Sequence, residues 1–138
     1  PRPAGQAQVS LRIPLEVCTD TGLPSCQLLV RAIHNVLWPL EAWGRGWTCH
    51  WVEHDDAWGY CDFDRLRIEL APDLLTDRMD ILIPTVAHEL THYRLGPEVP
   101  HGKSFNALES KLAFRLGVVY KQSATGKTAP TKGGSKHE

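Results

Sequence analysis

The chain has 138 residues and a formal net charge of −1, with 42% hydrophobic and 22% charged residues. That length suits one domain with a modest core. A charge so near zero, with no basic face in the globular part, gives no ground for strong attraction to nucleic acid, and no apolar run reaches the length of a membrane span.

Residues 1–8, rich in Pro, Gly, Gln and Ala, are expected to be flexible. Val9, Leu11, Ile13, Leu15 and Val17 alternate, which predicts a strand, with Pro14 suited to an edge position. Residues 23–38 read as a helix: Leu28, Leu29, Ala32, Ile33, Val36 and Leu37 recur at helical spacing, Ser25 is placed to cap the start, and Pro39 ends it. Trp38, Trp43 and Trp47 then surround Gly44 and Gly46 in a loop. Residues 47–53 predict a strand with Trp47, Cys49, Trp51 and Glu53 on one face. Residues 59–63 and 66–71 predict a hairpin turning at Asp64-Arg65, with Leu66, Ile68 and Leu70 on one face and Arg65, Arg67 and Glu69 on the other.

A helical turn at residues 72–75 leads to a helix of about 15 residues, with Asp80 as N-cap, Pro84 in the first turn, and Leu95-Gly96-Pro97 as the stop. The last helix spans residues 104–116, with Phe105, Leu108, Leu112 and Leu116 as its apolar stripe, Glu109 and Lys111 off it, and Gly117 after it. Residues 118–120 follow as a short extended segment, and residues 121–138, without an aromatic side chain, are expected to be disordered. The expected organisation is a flexible segment at 1–8, a folded domain at 9–120 and a tail at 121–138. The fold class is α+β, with a small antiparallel sheet of three to four strands on helices.

The chemistry concentrates at His88-Glu89-Leu90-Thr91-His92, an H-E-x-x-H run inside the 15-residue helix. Four residues on a helix is one turn plus about 40°, so His88 and His92 project from one face and can ligate a single zinc ion. Glu89, one position round, is placed to take a proton from a metal-activated water. Catalytic zinc takes three protein ligands and keeps a position open. The favoured third ligand is His101, which follows the helix stop after a short loop with Gly102 to bend it. Glu98, in that loop, and Glu109, in the next helix, are the alternatives. Tyr93, Tyr60 and His34 are nominees for steadying a tetrahedral oxyanion.

Four motifs occur in order: Trp58-Gly59-Tyr60-Cys61, Leu66-Arg67-Ile68-Glu69-Leu70, Ala87 through His92, and Pro100-His101-Gly102-Lys103-Ser104-Phe105. This succession resembles the SprT-like metallopeptidases, the group that includes the Spartan proteases, over about residues 23–117. The resemblance implies a small antiparallel sheet ahead of the H-E-x-x-H helix, a zincin-like fold, zinc on His88, His92 and His101, and Glu89 as general base. The segment His101-Gly102-Lys103-Ser104-Phe105 is its more discriminating part. The stretch between His92 and His101 is shorter than in typical members, and no cysteine follows Cys61, so this sequence offers no zinc ribbon of the kind that accompanies DNA-related members.

The function expected is a zinc endopeptidase acting on protein or peptide substrates, monomeric, with no membrane partner and no support from net charge for a nucleic-acid one. A cleft beside the sheet would admit extended polypeptide by β-strand addition. Its wall could include the tryptophans of residues 38–58, although core packing is the simpler use of those rings. The rival readings are a repressor-cleaving peptidase of the ImmA/IrrE type, separated by the identity of the third ligand, a non-catalytic zinc-containing binding module, and a purely structural metal. Against the last, Glu89 has no role in a structural site, and such sites have four protein ligands.

Cys18, Cys26, Cys49 and Cys61 form no C-x-x-C pair. Their even number permits disulfides, but reduced buried thiols in a cytoplasmic protein are the expectation. A second zinc on Cys49, His50, His54 and Cys61 is the less favoured use. The chain starts at Pro1 without a signal peptide, which leaves export open.

Overall fold

A computed structural model describes residues 23–117. The expected strand at 9–17, the flexible segment at 1–8, the segment at 118–120, the tail at 121–138 and Cys18 lie outside the described residues.

Helix α1 spans Cys26–Leu37. Ser25 caps it as its sequence position implies, its hydroxyl accepting the Leu28 N–H at 3.2 Å. Its buried residues Cys26, Leu29, Val30, Ile33, His34 and Leu37 follow the helical period and form one buried stripe, apolar except for His34. Strand β1 (Thr48–Trp51), strand β2 (Gly59–Asp62) and strand β3 (Arg67–Leu70) form a sheet in the order β1-β3-β2. The α+β class therefore holds, but the sheet is mixed rather than wholly antiparallel. The β2–β3 hairpin reverses the chain, and β3 inserts between β2 and β1, so it runs antiparallel to β2 and parallel to β1.

The hairpin turn is longer than Asp64-Arg65 alone. The Asp62 carboxylate accepts the backbone N–H groups of Asp64 and Arg65 at 3.1 and 3.3 Å, so β2 stops there. Leu66 falls in the turn at φ 55° and is exposed, instead of joining the inner face with Ile68 and Leu70.

Register places Cys49, Gly59, Cys61, Ile68, Leu70 and Trp51 on the face toward α1 and the H-E-x-x-H helix. Thr48, His50, Tyr60, Asp62, Arg67 and Glu69 occupy the other face. Glu69 is nonetheless buried, because the loop after β1 brings His54 to its carboxylate at 2.9 Å while Arg67 reaches the second oxygen at 3.3 Å. The free edge of β1 is met by α1: the Gln27 side-chain carbonyl accepts the Cys49 N–H at 2.8 Å and its amide donates to the Trp47 carbonyl at 3.4 Å. Trp51 donates its indole N–H to the Pro24 carbonyl at 2.6 Å. These contacts occupy part of the outer edge of β1.

After two 3-10 turns, Pro72–Leu75 and Met79–Ile81, helix α2 spans Leu82–Leu95. Asp80 does not cap it; the Arg78 guanidinium holds both Asp80 oxygens, at 3.0 and 3.1 Å, and the 3-10 turn carries the chain into α2 instead. Pro84 lies in the first turn, where its missing N–H costs nothing. Gly96, at φ 94°, ends the helix with its N–H on the His92 carbonyl. Every residue from Thr85 to His92 is buried, so α2 is the central element, with the sheet on one side and helix α3 (Lys103–Arg115) on another. Among the described residues, no helix is long and apolar enough to cross a membrane.

Candidate metal centre

His88 and His92 project from one side of α2, as their four-residue spacing requires, with ring centroids 4.9 Å apart. The chain leaves α2 at Gly96 and returns through a short loop that brings His101 to them, its centroid 5.0 Å from His88 and 4.8 Å from His92. The Nε2 atoms of His92 and His101 face each other at 2.9 Å. The ring of Phe105, buried on the first turns of α3, lies 4.8, 4.5 and 4.6 Å from the rings of His88, His92 and His101 and forms a common apolar floor. The four-residue step from His101 to Phe105 has a physical use: α3 starts beneath the histidine that the loop delivers.

Among the described residues, His88, His92 and His101 bring ligand atoms within 4.8 Å of one another and could hold a metal ion. Nitrogens bound to one ion at about 2.0–2.1 Å in tetrahedral geometry stand about 3.4 Å apart, a spacing between the 2.9 Å of His92 and His101 and the 4.8 Å that bounds the set. His88 and His92 are buried and His101 is exposed, so the site opens on the His101 side.

Glu89 is fully buried one position round the helix. Its side chain fills the space above Gly59 of β2, where a Cβ would stand 2.9 Å from Glu89 Oε2 and 3.1 Å from its Cγ. A glycine in the strand is what lets α2 approach so closely.

Of the three candidates for the third position, only His101 joins the cluster. Glu98 is exposed in the loop. Glu109 is buried on α3, and its Oε2 lies 2.5 Å from His88 Nδ1. The oxyanion nominees are engaged elsewhere. The Tyr93 hydroxyl accepts the Gly44 N–H at 2.8 Å and its ring stacks on Trp43 at 4.8 Å. Tyr60 donates to Asp56 at 2.6 Å. His34 is buried among Trp38, Trp43 and Tyr93. Burial pushes the Tyr93 phenol up and holds the His34 imidazole below its ordinary range. The tryptophans are half-buried and pack against the core, the use their size favours.

Cys26, Cys49 and Cys61 are free, buried thiols that burial pushes above the ordinary thiol range. A second zinc among Cys49, His50, His54 and Cys61 is not built: both thiols lie on the inner face of the sheet, His50 on the outer face, and His54 is on Glu69. Sequence patterning gave no task at the site to Gly59 or Phe105, and it weighed Glu109 as a third ligand rather than as a hydrogen-bond partner of His88. For Glu109 a signal was present: Phe105, Glu109, Leu112 and Leu116 fall at i, i+4, i+7 and i+11, so Glu109 continues the apolar row.

The model of the SprT-like family matches residues 41–124, a span that runs from before β1 to beyond α3 and contains all three histidines. No curated protein and no solved structure matches the chain. With more than half of its residues matched, the chain belongs to the SprT-like family.

Proposed function

We propose that this chain is a zinc-dependent endopeptidase that hydrolyses peptide bonds of protein substrates. The convergence of His88, His92 and His101 with Glu89 alongside is the observation that carries the reading. Membership of the SprT-like family, which suggests a metallopeptidase-like domain, supports it. Three neutral imidazoles suit zinc, and a site with three protein ligands leaves a position for chemistry.

Zinc, when bound, supplies a Lewis acid that polarises the scissile carbonyl and acidifies water. The Glu89 carboxylate then accepts the proton of the attacking water and passes it to the departing amine nitrogen. The wall of Gly59 and the buried position of Glu89 keep that carboxylate at one place. Substrate reaches the site from the exposed side of His101. The third ligand separates this reading from the repressor-cleaving type, and the inclusion of His101 with Glu109 outside the cluster favours the SprT-like one.

Removal of metal by a chelator is expected to abolish cleavage of an unfolded protein substrate, and one equivalent of zinc to restore it. His101→Ala is expected to weaken zinc binding strongly. Cleavage that survives complete chelation contradicts the proposal.

A further inference from the structure

We infer that Glu109 is a positioning residue of the metal site: it holds the Nδ1 hydrogen of His88 and so presents the Nε2 lone pair to the ion. This rests on the zinc reading above. Glu109 Oε2 and His88 Nδ1 are 2.5 Å apart, with only 4% and 2% of their side chains exposed. A carboxylate accepts hydrogen bonds and a neutral imidazole has one N–H, so the shared hydrogen sits on Nδ1 and the lone pair on Nε2. His92 and His101 already meet through their Nε2 atoms, so this tautomer makes all three inward nitrogens the same kind of donor.

The place of Glu109 in the fold argues for that task. Its neighbours in the row, Phe105, Leu112 and Leu116, are apolar and buried. A carboxylate there carries a desolvation penalty that an aliphatic side chain would avoid, so packing alone does not explain it. Glu109 also lies one helical turn beyond Phe105, which floors the three imidazoles. Helix α3 therefore fixes His88 twice, by a ring contact and by a hydrogen bond at its outer nitrogen. A carboxylate acting as a ligand would stand beside Nε2 instead. Partners that orient a metal-binding histidine in this way change metal affinity by about 10–100-fold when removed.

The test measures zinc affinity by competition with a chromophoric chelator for the full chain, Glu109→Gln and Glu109→Ala, together with the ring 15N shifts of His88 in the metal-free proteins. The expectation for the unaltered chain is Nδ1–H on His88. Glu109→Ala is expected to bind zinc about 10–100-fold more weakly and to shift His88 toward Nε2–H. Glu109→Gln, whose amide oxygen can accept the same hydrogen, is expected to retain the tautomer and recover part of the affinity. A purely structural tie between α2 and α3 would lower thermal stability in Glu109→Ala but leave zinc affinity near that of the unaltered chain. Zinc affinity within twofold of the unaltered chain in Glu109→Ala would overturn the inference, as would a His88 ring in the unaltered chain that carries its hydrogen on Nε2 and none on Nδ1. The second observation needs neither variant nor metal, so it decides even if Glu109→Ala fails to fold. An unaltered chain that takes up no zinc would instead contradict the metal reading itself.

Discussion

Gly59 sits where α2 presses hardest on the sheet. A methyl group there would stand 2.9 Å from Glu89 Oε2 and 3.2 Å from the Glu69 carbonyl oxygen, so either the carboxylate or the strand must move. Gly59→Ala is expected to destabilise the fold by about 1–3 kcal/mol and to slow cleavage while zinc affinity stays near that of the unaltered chain; denaturant unfolding and a zinc titration check both. His34 offers a pH test. Burial holds its imidazole below the ordinary value, with Glu41 and Arg94 acting in opposite directions. Above about pH 6.5 both folded and unfolded states are neutral at this site. As the pH falls below that, the unfolded chain takes up the proton first, and stability is lost as the pH passes down toward the lowered folded value. The thermal midpoint is therefore expected to fall less between pH 7 and pH 5 in His34→Phe than in the unaltered chain. Equal falls in the two proteins would contradict this. The H-E-x-x-H spacing was legible residue by residue, because it depends only on the helix period. Glu109 was legible as a candidate near the metal but not as the partner of His88, because that partner lies 21 residues away and the contact depends on how α3 packs on α2.

At the level of elements, the helices and the hairpin follow from local patterning, and their junctions do not. Ser25, Gly96 and the apolar row of α1 act within their own segments, so their roles can be read from sequence. The orientation of β1 depends on β3 inserting beside it, a long-range choice that alternation cannot encode. The edge of β1 is another such case, since Gln27 meets it from the first turns of α1. Gln27→Ala is expected to cost about 1–3 kcal/mol, because the Cys49 N–H loses its acceptor at a half-buried site. Urea unfolding measures it, and a change no larger than that of the exposed Leu40→Ser would contradict the assignment. The α2 start shows the same limit from the other side: Asp80 has the right chemistry for a cap, but Arg78, two residues away, takes its carboxylate first.

Taken as a molecule, the chain places a buried H-E-x-x-H helix between a small mixed sheet and α3, and the short return loop completes a set of three imidazoles open on one side. The sheet sets the position of Glu89 through Gly59, and α3 sets the imidazoles through Phe105. The pair His88 and His92 and the neighbouring acid were legible from motif spacing, and His101 as the favoured of three candidates to join them, whereas the supports beneath them depend on tertiary approach. The central claim is that Glu89 moves the proton at a zinc site it does not itself build. Its most direct test is the rate at which the zinc-loaded chain and its Glu89→Gln variant cleave an unfolded protein substrate, with zinc content measured on the same samples. The account predicts equal zinc in both and a rate reduced by at least about 100-fold in the variant; cleavage by Glu89→Gln at the rate of the unaltered chain would contradict it.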